Sequence, residues 1–156
     1  MNLEPSQRFS SYDFVATILW IGFVLAISFM EAPLRFQAEA ITIPIALQVG
    51  RLVFHALNFC EFFFAVCILV CQRFNSPSLK SKWLFGFALV ILVGQTLLLF
   101  LVLDPRTSAV IAEQNVEESF CHTIYIALEV IKLVSLAFLA HSQLRDFRSN
   151  INSSAA

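Results

Sequence analysis

The chain has 156 residues, 58% of them hydrophobic and only 13% charged, with a mean hydropathy of +0.78. Soluble domains carry roughly a quarter charged residues, so this composition cannot furnish a water-facing surface. A net charge of −1, only four glycines, and no Lys/Arg-rich block, zinc-finger spacing or phosphate-binding glycine loop argue against a nucleic-acid partner.

Apolar runs fall at Phe14–Met30, Leu52–Cys71, Leu84–Leu103 and His122–His141. Each is close to the roughly 20 residues with which a helix crosses a ~30 Å hydrocarbon layer. The first run exceeds the h-region of a signal peptide and ends in Ser28-Phe29-Met30-Glu31, without an Ala-x-Ala-like cleavage site, so it reads as a retained helix. Pro44 suits a first helical turn and allows the second helix to start ahead of its apolar run. The third run has only Gln95 and Thr96 as polar interruptions. From Asn150 the tail is polar and rich in small residues, and is expected to be disordered. The expected fold is one all-α domain over residues 1–149, a polytopic membrane four-helix bundle. Its helices should lie near 14–30, 45–71, 84–103 and 120–142, with the lipid bilayer as its first partner.

Cys60, Cys67 and Cys71 lie in the second run, and Cys121 at the head of the fourth. Cys67 and Cys71 can share a helix face, but thiols in an apolar helix behave chiefly as small hydrophobes. Arg8, Arg73, Lys80, Lys82, Arg145 and Arg148 fall on one side of the helices, against Arg35, Arg51 and Arg106 on the other. The positive-inside rule then places both termini in the cytoplasm. Glu31-Ala32-Pro33-Leu34-Arg35 closes the first helix and Asp104-Pro105-Arg106 the third, because proline cannot continue the hydrogen-bond ladder. The next helix in each half begins near a histidine, His55 or His122. This layout suggests two parallel two-helix repeats, although helix ends also attract such residues on their own.

The polar residues inside the runs form the candidate site. In the second helix Arg51, His55, Asn58 and Phe62 share a stripe, with Glu61 at its edge. In the fourth, His122, Glu129 and Lys132 share a face bordered by Tyr125. Glu61 and Glu129 lie about 9–10 Å below the histidines along their helices. Glu129 and Lys132 are three residues apart and can pair. If both polar stripes face the bundle axis, Lys132 serves both carboxylates. Gln95 reads as a helix-packing hydrogen bonder. Arg51 can pair with Glu31 or Asp104, and Arg106 with Asp104 or Glu118, either stapling the helix ends or forming the mouth of a pocket. Ionisable groups in a bilayer are costly and mark interiors or functional sites. His55 and His122 are the candidate ligands for a metal or haem in the bundle, with carboxylates as outer acceptors. The alternative is that they are interfacial residues bonded to loop carbonyls.

Leu103-Asp104-Pro105-Arg106-Thr107, followed by Ser119, His122, Glu129 and Lys132, resembles the DUF4149-type four-helix membrane proteins, relatives of transmembrane protein 205. The resemblance covers roughly the last third of the chain. It implies a four-helix membrane fold, marks Asp104, Arg106 and His122, and implies no settled activity. Three roles follow for the polar cluster. It can bind a metal, haem or small ligand; it can set helix pairing or recruit a membrane protein partner or second copy; or, in a dimer, it can serve an ion- or proton-coupled carrier. No nucleophile–base pair signals an enzyme.

Overall fold

The computed structural model describes residues 5–37, 39, 41–75, 77–112 and 120–154, and their side chains except those of 5–7, 121–122 and 150–154. The described residues are all-α and form a bundle of four helices long and apolar enough to cross a membrane: Arg8–Arg35, Ile43–Phe74, Leu79–Ile111 and Thr123–Ser149. Between 28% and 39% of each apolar window is buried by the protein itself, so most of it needs a non-aqueous surround. Phe59, Phe63, Val90 and Leu101 point outward. An apolar surface this continuous would not stay monomeric in water. The protein is a multi-pass integral membrane protein.

Neighbouring helices alternate in direction, as the bonds at the two ends show. At the end holding the termini, Asp146 accepts from the Ser78 backbone at 3.1 Å and from Ser81 Oγ at 2.8 Å, and Ser142 Oγ lies 2.9 Å from Ser81 Oγ. At the opposite end Arg35 reaches the Ala46 carbonyl at 3.3 Å, and Arg51 donates to Ser108 Oγ at 2.8 Å. The first helix packs on the second and fourth, and the third on the fourth. The second meets the third mainly through the segment that begins at Asp104. Trp20, Leu57, Phe64, Ile68, Leu92, Leu136 and Leu139 fill the interior. Phe62, assigned by helical spacing to the inward stripe, instead turns partly outward beside Phe63, while Asn58 and Glu61 are buried.

The first helix ends at Arg35, within the expected Glu31–Arg35 group, but the third runs past Pro105 to Ile111. The first helix runs Pro5–Val24, widens to a π turn over Leu25–Glu31 and resumes over Ala32–Arg35. The third runs Leu79–Leu98, widens over Leu99–Leu103 and resumes over Asp104–Ile111. In both, the residue just before proline donates five residues back, Ala32 to Ile27 and Asp104 to Leu99. A proline ring collides with the carbonyl four residues earlier and leaves it without a donor; a wider turn moves that carbonyl aside. The two halves therefore share a rod of helix, π turn and proline, followed by a returning helix. The second helix begins at Ile43, with Pro44 in its first turn. The fourth continues to Ser154, past the expected stop near 142 and into the segment read as disordered.

Truncating the lipid-facing Leu101 to Ala should change stability by no more than about 0.5 kcal/mol. Leu57→Ala, in the closed interior, should lose about 2–5 kcal/mol. Thermal unfolding of the detergent-solubilised protein separates the two.

Candidate functional site

At mid-bundle every helix contributes a polar side chain to one cluster. Lys132, fully buried on the fourth helix, forms ion pairs with Glu61 of the second helix and, at 3.1 Å, with Glu129 of its own. Its ammonium also donates to Gln95 Oε1 at 2.7 Å. Gln95 turns its amide N–H toward Glu129 and, at 3.4 Å, toward the Tyr125 carbonyl. The first helix supplies Trp20, whose indole N–H donates to Glu61 at 2.9 Å, and Ser28, whose hydroxyl donates to Glu129 at 3.0 Å. Asn58 donates to Thr96 Oγ1 at 2.8 Å, adding a second bond between the second and third helices. Lys132 thus serves both carboxylates, as expected from two inward-facing stripes. Trp20, Ser28 and Gln95 were not in the expected site. Gln95 carried the one visible signal, a lone amide in the most apolar helix.

The end group is wired differently from the expected pairs. His55 Nε2 lies 2.8 Å from Asp104 Oδ2, and its ring packs edge-on against Phe100 at 4.7 Å. Glu31 pairs with Arg35 one turn along, and Arg51 bonds the neutral Ser108 rather than Glu31 or Asp104. The cause is the uninterrupted helix. Because both rods run on past proline, Glu31 and Arg35 sit i, i+4, and Asp104 faces the second helix at the level of His55. Gly50 admits the buried Arg35 guanidinium, whose Nη1 would lie 2.1 Å from a Cβ built there. The side chain of His122 lies outside the described residues, as do Ser119 and Glu118, so the histidine pair proposed as a metal site is represented by His55 alone. Among the described residues no three His, Cys, Asp or Glu side chains converge as a metal site would require.

Between the two clusters lies a cavity of about 620 Å³. It is flanked by the two π turns, through Ser28 and Phe29 on one and Leu99 and Leu103 on the other. Phe54, Leu47 and Ile126 add apolar wall. Arg51, Asp104 and Arg106 stand at its outer end, and Tyr125 and Glu129 line it further in. Tyr125 is buried against Phe54, and its hydroxyl has no partner among the described residues. So of the expected site residues the structure gathers Arg51, Asp104, Arg106 and Glu129 around one space. Glu61 and Lys132 lie behind it, while His55 holds Asp104 from outside.

A second buried polar group occupies the other end, where Asn75 donates to Asp13 at 3.4 Å near Gln143. Asp13 falls one residue before the first apolar run, and hydropathy alone gave it no role. Cys60, Cys67 and Cys71 are free thiols packed within or beside the core.

No family model, curated protein or solved structure matches the chain.

Lys132→Met leaves two carboxylates without their cation in the bundle interior. Stability should fall by about 3–5 kcal/mol, the usual penalty for breaking a buried pair from one side. Adding Glu61→Gln to Lys132→Met should restore part of that loss in the same unfolding assay.

Proposed function

We propose that this protein is a membrane-embedded binding protein for a small, largely apolar ligand held in the cavity between the π turns. The observation that carries the reading is a cavity of about 620 Å³ whose wall includes Tyr125, a buried residue with an unpartnered hydroxyl. Ligand sites are typically concave, mostly apolar and about 300–1,000 Å³, with a few polar groups that fix orientation. A metal or haem reading has less support. His55 is engaged by Asp104, and among the described residues lining the cavity there is no histidine, cysteine or methionine. An assembly role through intramembrane charge is also weaker, because Glu61, Glu129 and Lys132 are bonded to one another within the chain. The presence of Asp104 and Arg106 at the cavity favours keeping the DUF4149-type kinship as a working proposal. With both termini in the cytoplasm, the outer end of the cavity faces the extracytoplasmic side.

Leu47→Trp fills the cavity without touching the Lys132 cluster. Organic extracts of gently purified parent protein should contain a small molecule at near-stoichiometric amount, and extracts of Leu47→Trp should lack it. Equal extracts from two folded proteins would remove the ligand-binding reading. Elemental analysis of the parent beside His55→Ala checks the metal alternative, which requires bound metal in the parent alone.

A further inference from the structure

We infer that the ligand is an amphiphile with an anionic headgroup, the head at Arg51 and the chain running inward along the apolar wall. This rests on the ligand-binding reading and specifies its chemistry.

The charges around the cavity decide the sign. Its two lining carboxylates are both engaged by protein groups, Asp104 by His55 and Glu129 by Lys132. Of its three lining arginines, Arg35 is held by Glu31 and the Ala46 carbonyl, and is buried against Gly50. Arg51 is different. Among the described residues its bonded partner is the Ser108 hydroxyl, which carries no charge, and its side chain is exposed at the cavity rim. Arg106 lines the same rim. Guanidinium groups match carboxylate and phosphate oxygens with forked hydrogen bonds and hold their charge at every physiological pH. Inward from this rim the wall is Phe29, Leu47, Phe54, Leu99, Leu103 and Ile126, which favours hydrocarbon. A negative head and an apolar chain satisfy both zones at once. A cationic head would meet Arg51 at the rim.

The test uses the full chain in zwitterionic phosphatidylcholine nanodiscs, with radiolabelled twelve-carbon probes differing only in headgroup: laurate, dodecyl phosphate, dodecanol and dodecylamine. Leu47→Trp in the same nanodiscs supplies the background from lipid partitioning. Laurate and dodecyl phosphate should bind saturably above that background, and more tightly than dodecanol or dodecylamine. Arg51→Gln should weaken the two anions by about ten- to a hundredfold and leave dodecanol unchanged. Arg51→Lys should recover much of the loss. Repeating the titration in phosphatidylglycerol nanodiscs identifies the source of the head. Displacement of laurate there assigns the site to an anionic membrane lipid, and undiminished binding assigns it to a free amphiphile. Dodecanol or dodecylamine binding as tightly as laurate, or an Arg51→Gln protein that binds laurate like the parent, would overturn the anionic assignment while leaving the cavity a ligand site. Failure of all four probes to exceed the Leu47→Trp background would overturn both readings.

Discussion

One ammonium group organises this bundle. Lys132 sits at the crossing of four helices, bonded to Glu61, Glu129 and Gln95, while Trp20 and Ser28 bind the same carboxylates from the first helix. In hydrocarbon, apolar side chains gain nothing by meeting each other rather than lipid, so polar bonds and close packing must select the helix arrangement. Each member of the cluster would be expensive if its helix turned toward lipid. Rotating any one of the four helices by a quarter turn would break at least one of these bonds. The cluster thus fixes the rotational setting of the whole bundle, and with it which residues line the space above.

That space lies beside the two proline segments. Residues of both π turns, Leu25–Glu31 and Leu99–Leu103, line it, and each π turn directly precedes a proline segment. The wider turn relieves the proline clash, and Phe54 and Tyr125, in edge-to-face contact, line the cavity beside it. The wider turn also lets the helices continue, which carries Arg35 down onto Gly50 and Asp104 onto His55. Residues of both proline segments line the cavity as well. Structural necessity and site geometry therefore meet in the same segments, and the repetition of the device in both halves gives the cavity two similar walls.

The polar network and the cavity meet at Glu129. Its carboxylate accepts from Ser28, Gln95 and Lys132 and also lines the cavity. Two carboxylates against one ammonium give the cluster a formal charge of −1 when all three are ionised, which a proton at either carboxylate would cancel. A ligand in the cavity would contact a group bonded to the first, third and fourth helices and linked through Lys132 to Glu61 of the second.

The fold class was legible because the bilayer imposes a simple rule. Backbone groups must be satisfied internally, so four apolar runs of spanning length mean four helices. The inward stripes were legible too, since helical periodicity and the expense of buried charge both point Asn58, Glu61, Glu129 and Lys132 toward the axis, and Lys132 within reach of both carboxylates. Phe62 shows the limit of that reasoning, because a stripe has no sharp edge until neighbouring helices define it. The helix stop at Asp104-Pro105-Arg106 was misread for a related reason, since the third helix continues to Ile111. A proline signals a broken ladder, but whether the chain leaves the helix or absorbs the break in a π turn depends on packing further along. The partners of Arg51, Asp104 and Glu31 followed that choice and changed with it. Sequence by itself determined that the chain crosses a membrane four times and which charges it must hide there. Only the tertiary structure decided that those charges bond one another and that a cavity opens beside them, because both depend on the relative rotation and bending of helices distant in the chain.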